Sequence, residues 1–263
     1  MPDAQGPPPG RPALLAVFAH PDDEALGAGG VLARHAAAGA RTAVLTTTWA
    51  PDSHRAAELG DAVRLLGADR PRMLGYADHR LPESAPGRPR WCDTPLDTAI
   101  AHVVTHIREF RPAIVVTHDA YGGLTGHPDH RRTHRVTTLA VHAAGLEHLC
   151  PEAGPPWQPS ALYLATRPHS AVEELGPLLT GAGKTVLSVP DELVTTTVDV
   201  RPWLDRKWNA VLAHRSEVRR ERSLPGILSR LPAGTRDRIL STEHYSLIAL
   251  APSPHDHERQ ERT

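Results

Sequence analysis

The chain has 263 residues, enough for one sizeable hydrophobic core, and its formal net charge is -1 with histidine counted as neutral. This balance disfavours nucleic-acid and anionic-membrane partners, and no segment approaches the about 20 apolar residues that span a bilayer. Only two cysteines occur, Cys92 and Cys150, which disfavours a disulfide framework or a cysteine-based zinc site. We therefore expect a soluble, cytoplasmic protein.

The two ends of the chain differ in composition from its middle. Residues 1–12 are rich in Pro and Gly and lack the apolar segment of a signal peptide, so they predict a disordered tail. Residues 251–263 are polar and predict a second one. Residues 13–250 are predicted to form one domain.

Short apolar runs alternate with amphipathic segments in the first half of the chain. The pattern predicts strands over residues 13–18, 43–47, 72–74 and 113–117. It predicts helices over residues 25–38, 53–66, 95–110 and 128–144. Ser53 is a suitable N-cap for the second helix, and Gly67 follows its end. This order predicts a Rossmann-like α/β domain with a mostly parallel sheet flanked by helices.

The second half of the chain is less regular. It predicts strands over residues 160–166, 185–189, 193–198 and 245–250, and one helix over residues 201–215. Segments rich in Pro, Gly or charge cover residues 76–94, 149–159 and 216–236. We expect these segments to be loops or short helices that form the rim of a pocket.

Two polar runs fall where predicted strands end. Residues 20–24 (HPDDE) follow the first strand, and residues 127–130 (HPDH) follow the strand at 113–117 after a Gly-rich loop. In parallel α/β sheets, ligands bind outside the carboxyl ends of the strands. The two runs are therefore expected to meet at one edge of the sheet.

The residue types in these runs indicate a metal site. Imidazole and carboxylate together suit Zn²⁺, and also Fe²⁺, Co²⁺ and Mn²⁺. A catalytic zinc keeps three protein ligands and one open position, and His20, Asp23 and one histidine of the second run can supply them. Zinc lowers the pKa of a bound water to about 7, and Asp22 is placed to take its proton. The remaining histidine can stabilise an oxyanion or protonate a leaving amine.

Some residues near these runs have other interpretations. By spacing alone, His134 is as good a ligand candidate as its neighbour His130, but a fourth ligand would close the site. A surface or supporting position is therefore favoured for His134, and a loop or supporting position for His118. The glycines at residues 27–30 do not complete a dinucleotide-binding fingerprint, and the lack of a Gly-x-Ser-x-Gly motif disfavours a serine hydrolase.

The same two runs resemble a known family. Residues 19–24 (AHPDDE), followed by Gly29 and Gly30, resemble the signature of the LmbE-like zinc de-N-acetylases, the PIG-L superfamily. Residues 126–130 (GHPDH) resemble the second motif of that family. Weaker resemblances bring the matched region to roughly residues 13 to 250, and they lie at Arg55, Glu58, residues 75–78, Asp199, Lys207, residues 214–216 and residues 243–245.

The resemblance implies a reaction and a ligand set. The reaction is hydrolysis of the N-acetyl group of an N-acetylglucosaminyl-type sugar. His20, Asp23 and His130 correspond to the zinc ligands, and Asp22 corresponds to the general base.

The resemblance also implies roles for four further residues. His127 corresponds to the residue that stabilises the oxyanion and acts as general acid, and Asp129 corresponds to the carboxylate that orients it. Arg55 is either a substrate-binding residue, as the resemblance implies, or a solvated helix residue. Asp78 has the same two interpretations.

One departure from the family pattern bears on the substrate. In the thiol-sugar branch a Tyr often precedes the second motif, whereas here residues 124–126 read LTG and the nearest aromatic is Tyr121. This departure favours a soluble natural-product or secondary-metabolite intermediate, for example in antibiotic biosynthesis.

Two other functions stay open. One is an amidase acting on a thiol-sugar conjugate or small-thiol precursor. The other is a non-catalytic sugar-binding homologue, which the intact Asp22 disfavours. In each case the expected partner is a small N-acetylated amino sugar or glycoside, and a homo-oligomer is possible.

Overall fold

The computed structural model describes residues 12–250. The strands are β1 (Leu14–Phe18), β2 (Thr42–Thr48), β3 (Arg72–Tyr76), β4 (Ile114–His118), β5 (Ala161–Thr166), β6 (Thr196–Asp199) and β7 (Thr242–Ala249). The α-helices are α1 (Asp23–Ala37), α2 (His54–Leu66), α3 (Leu96–Phe110), α4 (Pro128–Ala143), α5 (Leu175–Gly181), α6 (Leu204–Ala213), α7 (Arg215–Arg219), α8 (Leu224–Ser229) and α9 (Ala233–Leu240). The two predicted tails lie outside the described residues, apart from Pro12.

The strands form one sheet in the order β3-β2-β1-β4-β5-β7-β6. Strands β1 to β5 are parallel, and β7 runs antiparallel to both β5 and β6. The chain builds outward from β1 to β3 and then returns to place β4 on the other side of β1. This reversal opens a crevice at the carboxyl ends of β1 and β4, where ligands of such sheets bind. The predicted α/β fold is confirmed.

Strand β1 shows why the sheet is covered on both faces. Its sequence LLAVF is buried throughout, as expected of a central parallel strand. Leu15 and Val17 pack with Val103 of α3 and Val136 of α4. The alternate residues Leu14, Ala16 and Phe18 belong to the opposite layer, which includes residues of α1, α2 and α6. Two hydrophobic layers therefore hold β1 rigidly beneath the crevice.

The second half of the chain is tied to α1 by a buried ion pair. The Glu243 carboxylate accepts hydrogen bonds from the backbone N–H groups of Gly30 (2.7 Å) and Val31 (2.9 Å). Lys207 Nζ lies 2.8 Å from Glu243 Oε1, and both side chains are almost fully buried. A Cβ on Gly30 would lie 2.3 Å from a methyl group of Val200, so only glycine allows this close approach.

Three predictions for the second half were wrong in detail. Residues 185–189 form no strand, and only Val189 makes an isolated bridge, to Pro168. The strand predicted over residues 193–198 begins later, at Thr196, and forms β6. The helix predicted from Arg201 begins with the 3-10 turn Arg201–Trp203, which has Pro202 in its first turn, and α6 follows this turn.

Candidate active site

The crevice between β1 and β4 holds both polar runs. Residues 20–24 lead from β1 into α1, and the loop after β4 leads to His127, the N-cap of α4. Asp22 has a φ of 124°, which L-residues rarely adopt and which costs on the order of 1–3 kcal/mol. Its N–H donates to Glu24 Oε2 (2.9 Å), and the other oxygen of Glu24 lies 2.7 Å from His214 Nε2. A buried Glu24–His214 pair thus supports the strained turn.

Three donor atoms converge at the floor of the crevice. His20 Nδ1 lies 3.0 Å from His130 Nε2, and each nitrogen lies 3.3 Å from Asp23 Oδ2. A tetrahedral zinc with bonds of about 2.0–2.1 Å has ligand atoms about 3.3 Å apart, so these separations fit such an ion. Two imidazoles and one carboxylate leave the fourth position open, as in catalytic sites.

The other nitrogen of each imidazole fixes its tautomer. His20 Nε2 lies 2.9 Å from Asp78 Oδ2 and 3.3 Å from Asp129 Oδ2, so this nitrogen carries the hydrogen. His130 Nδ1 lies 3.1 Å from the Gly122 carbonyl oxygen and is likewise the donor. The facing atoms His20 Nδ1 and His130 Nε2, 3.0 Å apart, would each have a lone pair to offer a metal ion when both rings are neutral. Imidazoles supported in this way are typical of metal ligands.

His118 and His134 lie close by but are differently engaged. His118 Nε2 accepts the Ala19 N–H at 3.2 Å and lies 3.4 Å from Asp23 Oδ2. Its ring stacks on His130 with centroids 4.0 Å apart. Burial, aided by the charge of His130, lowers the pKa of His118 to about 3, so its ring is neutral. His134 Nδ1 lies 2.9 Å from the His118 carbonyl oxygen.

The neighbouring carboxylates Asp22 and Asp23 differ in their electrostatics. Burial raises the pKa of Asp22 to about 7, although the Arg55 guanidinium at 3.1 Å opposes this shift. Burial acts on Asp23 in the same direction, but the facing His130 and His118 rings outweigh it and hold its pKa well below the usual range. Asp23 is therefore a permanent anion, whereas Asp22 can exchange a proton near neutral pH.

Arg55 and Asp78 are both buried, so the interpretation of either as a solvated residue is wrong. Arg55 is 4% exposed, lies between Asp22 and Glu217 (3.1 and 3.2 Å), and stacks on Trp49. Asp78 is 7% exposed, and its Oδ1 accepts backbone N–H groups of the following turn. Both residues line the cavity above the donor triad.

His127 and Asp129 lie in the site, but not in the simple pair that the sequence predicts. His127 Nδ1 accepts the Asp129 N–H at 3.3 Å and is 3.7 Å from Asp129 Oδ2. That oxygen also accepts the His79 N–H (2.9 Å) and faces His20 Nε2. Burial and the charges of His20 and His130 lower the pKa of His127 to about 3. The Asp129 carboxylate therefore lies between the two histidines.

The cavity extends from the triad toward the second half of the chain. Its lining there includes Arg167 and Lys184 on loops, Glu217 in α7, Arg220 directly after α7 and His244 of β7. Of the segments predicted to form the rim, residues 216–236 contribute Glu217 and Arg220 to this part of the lining. Among residues 12–250, no helix has the length and apolar character needed to cross a lipid bilayer.

Comparison with known proteins decides the family. The model of the family described as GlcNAc-PI de-N-acetylase, PIG-L, matches residues 15–141. A 1D-myo-inositol 2-acetamido-2-deoxy-alpha-D-glucopyranoside deacetylase from Rhodococcus jostii is 38% identical over 95% of this chain and 96% of its own length. A deacetylase of the same name from Streptomyces scabiei is 33% identical over 93% and 89% of the two chains. The chain belongs to the PIG-L family.

Solved structures agree with the PIG-L fold. The N,N'-diacetylchitobiose deacetylase from Pyrococcus horikoshii superimposes with a TM-score of 0.63 at 18% identity, covering 94% of this chain and 88% of that one. The teicoplanin deacetylase Orf2 gives a TM-score of 0.57 at 21% identity, covering 92% and 100%. These likenesses concern the fold alone. Through its PIG-L relatives, the chain is confirmed as an enzyme that hydrolyses an amide C–N bond.

Two residues of this PIG-L site escaped the sequence analysis. Glu217 binds Arg55 at 3.2 Å and directly follows residues 214–216, whose resemblance to the family was the signal that could have indicated it. Cys92 Sγ lies 3.1 Å from Asp129 Oδ1. Nothing in the spacing of Cys92 could have indicated this contact, because it depends on the course of the loop after β3.

Proposed function

We propose that the chain is a zinc-dependent de-N-acetylase of an N-acetylglucosaminyl glycoside whose aglycone is inositol or a similar polyol. The observation that carries the proposal is the triad of donor atoms at 3.0–3.3 Å, with Asp22 beside it. The names of the relatives that are 38% and 33% identical over almost the whole chain support the sugar and its aglycone.

We assign His20, Asp23 and His130 as the metal ligands, because their donor atoms converge at 3.0–3.3 Å. Zinc held there would polarise the amide carbonyl and lower the pKa of a water to about 7. The set of two imidazoles and a carboxylate also suits Fe²⁺ and Co²⁺.

Asp22 is proposed as the general base. A carboxyl whose pKa lies near 7 accepts a proton from the attacking water and can later release it at neutral pH. Arg55 and the strained turn hold this carboxylate beside the triad. Asp22 could therefore accept and release the proton without a change of conformation.

His127 is proposed to act on the carbonyl oxygen and on the leaving amine. Its ring lies 4.7 Å from that of His20 and lines the cavity, within reach of a carbonyl oxygen near the triad. Its depressed pKa keeps the ring neutral, so it would donate a hydrogen bond to the oxyanion. The proton that Asp22 takes from the water would go to the leaving amine, either from Asp22 itself or through His127, and Asp129 would stabilise the imidazolium formed on the second route.

Arg55 and Asp78 are proposed to bind the sugar. Both line the cavity and present hydrogen-bonding groups of opposite kind to its hydroxyls. Arg55 has a second task, since its guanidinium bridges the Asp22 and Glu217 carboxylates.

The relatives do not support an antibiotic intermediate as the substrate. That expectation came from the lack of a Tyr directly before His127. The loop in question bends through three glycines of positive φ, Gly122, Gly123 and Gly126, and Tyr121 within it is 49% exposed. Because the course of this loop decides which aromatic reaches the cavity, the spacing to His127 is a poor guide to the substrate.

Release of acetate and of a free amine tests the proposed function. Zinc-loaded protein is incubated with N-acetylglucosaminyl inositol, with free N-acetylglucosamine and with the same glycoside carrying a larger acyl group. We expect turnover to be fastest with the acetylated inositol glycoside. Preference for the larger acyl group would instead identify an amidase of thiol-sugar conjugates, and no amine from any of them would refute the proposal.

A further inference from the structure

The two carboxylate oxygens of Asp129 have different hydrogen-bond partners. The residue is fully buried, and its Oδ2 atom receives the His79 N–H and faces both His20 and His127. Its Oδ1 atom has one hydrogen-bond donor within residues 12–250, the thiol of Cys92 at 3.1 Å. The thiol therefore supplies the hydrogen bond that the buried Oδ1 atom needs and, together with the His79 N–H on Oδ2, defines the orientation of the carboxylate.

The thiol is itself held by its surroundings. Cys92 lies in the 3-10 turn Trp91–Asp93, and the indole of Trp91 is fully buried. Trp91 Nε1 donates to Thr133 Oγ1 of α4 at 3.0 Å. This hydrogen bond anchors the turn to α4, the helix that carries Asp129, and so keeps Cys92 Sγ close to the Asp129 carboxylate.

The thiol is suited to be a permanent donor. Burial and the adjacent Asp129 carboxylate raise the pKa of Cys92 to about 12, so Sγ keeps its hydrogen. Cys92 is not among the residues that line the cavity, and it therefore acts on the reaction only through Asp129.

We propose that Cys92 is a positioning residue for catalysis: its S–H donates to Asp129 Oδ1 and thereby aims Asp129 Oδ2 at His127 and His20. The inference rests on the proposed function, since it assigns Cys92 a part in orienting the proposed general acid and one proposed zinc ligand. Without the thiol, Oδ1 has no donor among residues 12–250 and the carboxylate is held through Oδ2 alone, so its position opposite His20 Nε2 and beside His127 is less well defined.

Three substitutions separate hydrogen bonding from packing. Cys92→Ser keeps a donor, Cys92→Ala removes it and leaves space, and Cys92→Val removes it while filling the space. We expect kcat to fall about tenfold in the Ala and Val variants, with KM changed less than about twofold, and to stay within about threefold of wild type in the Ser variant. The matched control is Cys150→Ala, which alters the other thiol of the chain and is expected to leave kcat unchanged.

A second measurement does not depend on turnover. Zinc affinity is measured for all variants by competition with a chromophoric chelator, and thermal unfolding confirms that each is folded. We expect the Ala and Val variants to bind zinc several-fold more weakly than wild type and the Ser variant to match it, because Asp129 also supports His20.

The outcomes distinguish the two proposals. A wild-type protein that deacetylates none of the glycosides would refute the proposed function, and the zinc affinities would still test the role of Cys92. Normal kcat and zinc affinity in the Val variant, with losses in the Ala variant alone, would show that Cys92 only fills space and would overturn the inference. Equal values in all variants would overturn it as well.

Discussion

The floor of the active site and its wall are built in different ways. The floor consists of His20, Asp23 and His130, whose donor atoms converge within 3.3 Å, together with the adjacent Asp22. These residues lie in the segments that follow two adjacent parallel strands, β1 and β4. The wall, built from the second half of the chain, includes Glu217, which binds Arg55, and it is supported behind the cavity by the buried His214, which binds Glu24. His214 binds Glu24 across 190 positions of sequence. The floor therefore follows from local motifs and strand order, whereas the wall depends on long-range ion pairs.

This difference predicts that floor substitutions abolish the chemistry, whereas wall substitutions first weaken the fold. The largest effect is expected from Asp22→Asn, because an amide cannot accept the proton of the attacking water. We expect kcat to fall at least about 100-fold while one zinc per chain is retained. Turnover is measured by amine release and zinc by mass spectrometry. Unchanged turnover in this variant would remove Asp22 from the role of base.

The ligand assignment is tested on the same floor. We expect His130→Ala to lose zinc, since it removes one of three converging donors. His134→Ala, one turn farther along α4, is the matched control and is expected to keep the metal, because its Nδ1 bonds to a carbonyl oxygen. Tight, stoichiometric zinc in the His130 variant would show that the triad is not the metal site.

The wall is tested at the Glu24–His214 pair, in which both side chains are fully buried. Removing one partner of a buried ion pair leaves an uncompensated charge, so Glu24→Gln is expected to cost about 3 kcal/mol or more of unfolding free energy. The matched control is Arg201→Ala at the exposed Asp199 pair, where no change in the denaturation midpoint is expected. Similar midpoints for both variants in urea titrations would contradict the buried pair's contribution.

The same pair predicts a pH dependence. Burial alone would lower the pKa of His214, but the Glu24 carboxylate outweighs it, and the pKa is raised. The charged pair therefore contributes its full stability below about pH 6.5, the usual pKa of histidine, and loses it as the pH rises through the raised value. We expect the stability difference between wild type and His214→Gln to shrink with rising pH across this interval. A constant difference from pH 5.5 to 9 would show that His214 does not change its charge there.

The floor could largely be predicted from the sequence, whereas the wall could not. The alternating runs predicted a parallel sheet whose strand ends lie at one edge, and the pairing of β1 with β4 in the structure brings residues 20–24 to His130. The electrostatics of the wall could not be predicted, because no local pattern says that His214 meets Glu24 or that Glu217 meets Arg55. The predicted strand at 185–189 failed for a related reason. Its Leu187 N–H donates to the Leu124 carbonyl of the loop after β4, at 2.7 Å, and not to a neighbouring strand.

The smallest expected effect concerns the contact of the second half with α1. Gly30→Ala places a methyl group 2.3 Å from Val200 and crowds the segment whose N–H groups bind Glu243, so we expect a loss of about 1–3 kcal/mol. Gly60→Ala is the matched control: Gly60 lies in α2 with no atom within 4 Å of an added Cβ, and alanine there should stabilise the helix by about 0.5–1 kcal/mol. Opposite shifts of the unfolding midpoint would show that α1 is held by close packing against the second half. If both variants were stabilised, the Val200 side chain would have moved aside, and α1 would be held mainly by the Glu243 carboxylate.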